Sequence, residues 1–305
     1  MPINDIFHKQ VALLIRSLPY IAEEKDFALK GGTAINLFIR NMPRLSVDID
    51  LTYIPVKPRA ESLESIDSAM KRIADSLRSA SPGAQVIESS LHQEGAVNKL
   101  FVRTNDVQIK IETTPVLRGC VHEPSVQHVS PSVEDEFGYA EIKVVSFSDL
   151  YGGKIVAALD RQHPRDLFDI RDLLANEGID DSLRRAFIVY LLSHDRPMSE
   201  VLSARLKDIE AEFEYGFTGM TEQEVLLDEL LQVRGQLVGE IVGNMPDEHR
   251  HFLVSFERGE PDWTLLGLDG VADLPAVRWR QQNLDSLSKE ARNSLVVGLV
   301  EVLDA

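Results

Sequence analysis

Apolar residues recur at helical spacing through residues 5–23, DIFHKQVALLIRSLPYIAE, which predicts an opening helix with Asp5 as its N-cap. FALKGG then reads as a short strand stopped by glycine, and TAINLFIR as a helix with Thr33 at or beside its N-cap. LSVDIDLTY alternates strictly. Val47, Ile49 and Leu51 share one face, while Ser46, Asp48, Asp50 and Thr52 share the other. Residues 60–80 form a second amphipathic helix, closed by SPG. NKLFVRTNDVQIKIETTP holds two alternating runs joined by TND, the pattern of a hairpin. In its second run Val107, Ile109 and Ile111 face one way, and Gln108, Lys110 and Glu112 the other.

Farther along, the period lengthens. Residues 118–140 are irregular and rich in His, Pro and Ser. From SFSDLYGGKIVAALD onward the pattern is helical, interrupted at RQHPRD. Several helices follow over 180–250, the clearest being TEQEVLLDELLQVRGQLVGEIVG. A looser tract, ERGEPDWTLLGLDGVADLPAVRW, precedes a last helix. The pattern predicts an α/β (α+β) part over residues 1–175 and a mainly helical part over 176–305. Phe252, Phe256 and Trp263 read as core aromatics rather than as a base-stacking platform.

Composition fits this picture. With 305 residues, 44% hydrophobic and 27% charged, the chain has enough apolar surface for one large domain or two ordinary ones. No apolar run approaches the roughly 20 residues that span a bilayer, and MPINDIFHKQ lacks the basic start and apolar core of a signal peptide. A single cysteine, Cys120, fits a reducing compartment, so the cytoplasm is the expected location. The net charge of −17 argues against an unaided nucleic-acid binder. Its distribution softens that argument. Residues 1–175 carry 20 Lys and Arg against 24 Asp and Glu, whereas residues 176–305 carry 12 against 25. A polyanion can approach the first part, and a basic partner suits the second.

Candidate chemistry begins with Asp48 and Asp50, two apart on one strand face and roughly 6.7 Å from each other along the backbone. Like charges so close repel unless a cation lies between them, and hard oxygen ligands suit magnesium. An exposed strand face is the competing reading. Upstream, Gly31 and Gly32 lead into a helix start whose free N–H groups could receive an anion, with Thr33 adding a hydroxyl. An anion cradle followed by paired carboxylates suggests a metal-bound nucleoside triphosphate. Glu112, on the polar face of a strand able to lie beside the first, supplies a third carboxylate unless Lys110 neutralises it. Three acids can hold two metal ions. Lys154 lies among small and apolar neighbours and needs a counter-ion, for which a triphosphate would serve. The surrounding LYGGK is not a P-loop, because Ser148 replaces the first glycine and Ile155 the Ser/Thr. Of the two aspartates after Pro164, Asp166 complements the helix dipole, and Asp169 is the better candidate to pair with Lys154 or to act as a general base. His122 and His128 lack companion cysteines, which argues against zinc there.

In their order, LKGGTAINLF, RLSVDIDLTY, IKIE and LYGGKIVAAL with RQHPRDLFDI resemble the AbiEii/AbiGii-type nucleotidyltransferase toxins of the polymerase-β-like superfamily, most clearly over residues 28–175. The resemblance implies a polymerase-β-like nucleotidyltransferase core, with a small mixed sheet flanked by helices, followed by a helical C-terminal domain. It implies that Gly31, Gly32 and Thr33 hold the triphosphate, with Arg44 and Ser46 as nucleotide contacts. Asp48, Asp50 and Glu112 become Mg2+ ligands, Glu112 standing where many members have aspartate. Lys154 becomes a phosphate contact and Asp169 the group that positions the acceptor. Members transfer nucleotides from NTP to a target, for several relatives the 3′ end of tRNA, and are partnered by a cognate antitoxin that often carries a winged-helix domain. Transfer to a protein hydroxyl or a small molecule, and a non-catalytic binding module, are the alternatives.

Overall fold

The computed structural model describes residues 5–203 and 205–304. The chain divides into two compact units. The first runs through Ser146 and takes back Thr218–Glu224; the second comprises Phe147–Phe217 and the chain from Val225 onward. The division therefore lies at Ser146–Phe147, ahead of the boundary near residue 175 drawn from the hydrophobic pattern.

In the first unit, helix α1 (Asp5–Ala22) leads to strand β1 (Phe27–Lys30). A short helix α2 (Gly31–Ala34) continues as a π-helical turn over Ile35–Ile39, followed by β2 (Asp48–Tyr53) and helix α3 (Arg59–Ala80). Strands β3 (Gln85–Ser90), β4 (Val97–Arg103) and β5 (Gln108–Thr113) come next, then β6 (Ser125–His128), helix α4 (Pro131–Phe137) and β7 (Glu141–Val144). The residue before α1 lies outside the described residues, so a cap at that end is not assigned. The strands form one seven-stranded mixed sheet in the order β3-β4-β5-β2-β1-β7-β6.

Alternation decides which face of the sheet is dry. Ile49 pairs with Ile111, which pairs with Leu100, and Leu29 pairs with Leu51; all five are buried. Helices α1 and α3 touch each other and pack on the sheet, burying Val11, Leu14, Leu18 and Ile21 from one and Ile66, Met70, Ile73 and Leu77 from the other. With the apolar side chains of β2 and β5 committed to the core, the intervening Asp48, Asp50, Lys110 and Glu112 must face the opposite side.

The second unit is helical: α5 (Phe147–Asp160), α6 (Pro164–Asn176), α7 (Asp181–Leu192), α8 (Met198–Leu202), α9 (Glu210–Gly216), α10 (Leu227–Val238), α11 (Asp247–Glu257), α12 (Pro275–Asp285) and α13 (Lys289–Leu303). α5 and α7 pack closely because Gly152 has no side chain; a Cβ there would lie 2.9 Å from the Phe187 amide nitrogen. Phe252 and Phe256 are buried, as expected of core aromatics, and both rings contact Trp263, which is half-buried. Among the described residues, no helix is long and apolar enough to cross a membrane.

Candidate active site

Strand register assembles the candidate site. Lys30 lies opposite Asp50, Asp50 opposite Glu112, and Glu112 opposite Lys99. Four strands thus present a row of ammonium, carboxylate, carboxylate and ammonium, with strands ~4.8 Å apart. Asp48, two residues along β2 on the same face, pairs in register with Lys110. All six side chains belong to half-buried residues.

The three acids differ in how their charge is met. Lys99 Nζ lies 3.0 Å from Glu112 Oε1, and Lys110 Nζ lies 2.8 Å from Oε2. Burial works to raise the Glu112 carboxyl, but the hydrogen bonds from Lys110 and Lys99 outweigh it and hold the group below the ordinary range. Lys110 is likewise raised: its hydrogen bond to Glu112 and the nearby carboxylates overcome the opposing effect of burial. Glu112 is therefore neutralised by lysine, the alternative that its neighbour Lys110 suggested, with Lys99 added. Asp50 has no such relief. Burial pushes its carboxyl up, and the pull of Lys30 and Lys110 does not offset it. Burial in turn lowers the Lys30 ammonium despite the nearby Asp50. Among the described residues, no hydrogen bond or close ion pair reaches the Asp48 or Asp50 side chain. Two hard carboxylates, one of them penalised for its charge, suit a divalent cation. For Glu112 to become a third ligand, the metal must compete with Lys99 and Lys110 for its oxygens.

The glycine turn lies against these groups. Gly31 has φ 77°, and a Cβ on it would stand 2.7 Å from Asp50 Oδ2. A Cβ on Gly32 would stand 2.8 Å from Arg44 Nη2 and 3.1 Å from Ser46 Oγ. The turn backbone thus touches Asp50 at one residue and the Arg44 and Ser46 side chains at the next. Arg44 is buried, and its Nη1 donates to the Leu45 carbonyl at 3.0 Å. Thr33 departs from expectation. The helix begins at Gly31, so Thr33 is its third residue and caps nothing. Its buried hydroxyl lies 3.0 Å from Ser46 Oγ and donates to the Asp48 carbonyl. Thr33 braces α2 against the start of β2, and its hydroxyl is committed to that brace. Gly31→Ala should cost about 1–2 kcal/mol from the positive φ alone and displace the Asp50 carboxylate. A lowered urea midpoint with a parallel loss of nucleotide transfer would show both effects.

Lys154 and Asp169 lie together in the second unit. Lys154 Nζ is 2.8 Å from Asp166 Oδ1 and 3.0 Å from Asp169 Oδ2, all three being buried. Arg161 Nε reaches Asp166 Oδ2 at 2.7 Å. The pairing of Lys154 with Asp169 matches one of the two roles considered for that aspartate. The counter-ion that a triphosphate was expected to provide is supplied by Asp166 and Asp169. Asp166 does more than complement a dipole. His163 caps α6 by accepting from the Arg165 N–H, and Pro164 occupies its first turn. Burial opposes the Asp166 charge, but Lys154 and Arg161 overcome that and hold its carboxyl far below the ordinary range. A lowered folded-state pKa contributes stability that is present above the unfolded value, about pH 4, and lost as pH falls through the folded value. Urea midpoints measured from pH 6 downward should therefore fall below about pH 4, and fall less steeply in Asp166→Asn.

Pattern alone missed Lys30 and Lys99. Each ends or interrupts an ordinary alternating strand, and only cross-strand register brings them to Asp50 and Glu112.

A family model described as "Nucleotidyl transferase AbiEii toxin, Type IV TA system" matches residues 12–283. The chain belongs to this family. It is a nucleotidyltransferase toxin of the AbiEii type, and membership implies an NTP substrate and an antitoxin. Its fold resembles that of MenT4, a nucleotidyltransferase toxin from Mycobacterium tuberculosis, with a TM-score of 0.54 at 16% identity over 97% of this chain and 93% of that one. Terminal uridylyl transferase 4 from Trypanosoma brucei with bound dUTP aligns over 96% and 98% of the two chains at 10% identity, with a TM-score of 0.26. No curated protein matches the chain.

Proposed function

We propose that this AbiEii toxin transfers a nucleoside monophosphate from NTP to a hydroxyl at the 3′ end of tRNA in a Mg2+-dependent reaction, blocking translation in the cytoplasm. The observation that carries this reading is the pair Asp48 and Asp50 on one strand face, with Asp50 set against the Gly31 turn and neither carboxylate in a close ion pair among the described residues. Asp48 and Asp50 would hold the metal, with Glu112 joining them when Lys99 or Lys110 turns to phosphate. A magnesium ion held by these residues would supply Lewis-acid activation of the attacking oxygen and stabilisation of the leaving group. The acceptor oxygen forms a bond to the α-phosphorus, the bond between the α-phosphorus and its bridging oxygen breaks, pyrophosphate leaves, and the hydroxyl proton passes to solvent or a nearby base. Arg44 and Ser46, packed beneath Gly32, fix the turn that faces the triphosphate. A tRNA acceptor agrees with the near balance of charge over residues 1–175. A winged-helix DNA-binding protein would serve as antitoxin.

Purified protein given each labelled NTP together with tRNA and total cellular protein tests the acceptor. Label should enter tRNA and should vanish when periodate has destroyed the 3′ diol. Label in protein would replace the acceptor with a side-chain hydroxyl. No transfer to either, with magnesium present, would overturn the proposal.

A further inference from the structure

The second unit holds another group of ligand-type side chains. Asp181 opens α7, and Glu248 and His249 lie in the first turn of α11; one ligand atom from each lies within 4.8 Å of the others. His249 Nε2 is 3.6 Å from Asp181 Oδ1 and 3.9 Å from Glu248 Oε1, beyond hydrogen-bond reach. The imidazole is 0% exposed, and among the described residues neither ring nitrogen has a hydrogen-bond partner.

Simpler causes explain the carboxylates. Acids in the first turn complement the helix dipole. Arg185 Nε also holds Asp181 Oδ2 at 2.7 Å, and its Nη2 lies 3.8 Å from Glu248 Oε1. Neither cause explains the histidine, because a buried polar ring with both nitrogens unused is costly. The charged groups facing it are Asp181 and Glu248, which favour its protonation, and Arg185 and Arg184, which oppose it; burial is the largest influence and lowers its pKa. Metal binds the neutral imidazole, the form that burial favours here.

We propose that Asp181, Glu248 and His249 form a site for a divalent transition metal of the zinc class, with one imidazole nitrogen and two carboxylate oxygens as ligands. Nitrogen with carboxylate selects zinc and its neighbours over magnesium. On a tetrahedral zinc, ligands at about 2.1 Å lie about 3.4 Å apart, so the observed 3.6 and 3.9 Å separations need only slight contraction. Asp181 Oδ1 is the oxygen that Arg185 leaves open. The metal would tie the start of α7 to the start of α11 within one unit, a structural role outside the transfer reaction.

Zinc titration by calorimetry tests the site, using metal-stripped full-length protein in excess magnesium so that zinc is challenged at Asp48 and Asp50. The variant is Asp181→Asn with Glu248→Gln, both exposed, so the core is untouched. Wild type should bind one zinc, weakened at least tenfold in the double variant. X-ray absorption of zinc-loaded wild type should show one imidazole nitrogen. Equal zinc affinity in the double variant, absence of stoichiometric binding in wild type, or a zinc shell without nitrogen would each overturn the proposal.

Discussion

Asp50→Asn should leave the fold intact and reduce nucleotide transfer at least about a hundredfold. The substitution keeps the shape of the side chain and removes a charge that burial already disfavours. It also removes repulsion from Asp48 and Glu112, so the urea midpoint should hold or rise even though Lys30 loses an opposing charge. What is lost is a hard oxygen donor beside the Gly31 turn. Asp48→Ala should abolish transfer as well, and cells expressing either variant should grow normally. Glu112→Gln should differ: it leaves Lys99 and Lys110 without their carboxylate, so lost stability should accompany lost activity. A raised Asp50 pKa adds a signature. The metal-free carboxylate must lose its proton before it binds magnesium, so transfer at limiting magnesium should rise with pH through that value. Full transfer by Asp50→Asn would remove this carboxylate from the chemistry.

Lys154→Met should destabilise the second unit by about 3–5 kcal/mol. The ammonium is buried between Asp166 and Asp169, which are each 1% exposed. Removing it leaves carboxylate charge in a low-dielectric interior, which costs more than the ion pair itself contributes. Arg161 still reaches Asp166, but its side chain is largely exposed and cannot replace a buried charge. Adding Asp169→Asn to Lys154→Met should recover part of the loss, since the second change removes a charge the first left unmatched. Urea denaturation of the four members of that cycle measures the coupling. A loss below about 1 kcal/mol, the range of an exposed pair, would show that the cluster is not a buried support.

Much of the first unit was legible because its strands carry strong signals. LSVDIDLTY alternates without a break, and the TND turn marks the hairpin now seen as β4 and β5. The irregular reading of residues 118–140 did not hold, because β6 has four exposed residues and no apolar face, while α4 is only two turns long. TEQEVL has the composition of a helix start, yet α10 begins at Leu227. Residues 218–224 belong to the first unit instead, where Met220 accepts from the Leu45 N–H at 2.8 Å. Here tertiary contact overrides local preference. On α6 the buried stripe runs through Leu167, Ile170 and Leu173, while Leu174 is half-buried. The candidate acids were visible from alternation, whereas the lysines beside them were not. Alternation assigns a face; it cannot say which strand comes next.

The hydrogen bond between Leu45 and Met220 bears on when the protein matures during translation. Leu45 sits between Arg44 and Ser46, the two side chains beneath the glycine turn. A ribosome makes roughly 5–20 residues each second, so many seconds separate synthesis of the seven-stranded sheet from arrival of the segment that latches it. A nascent chain can form its sheet while the Leu45 N–H still lacks its Met220 partner. An mRNA cut before that segment would then encode the sheet without the hydrogen bond from Leu45 to Met220.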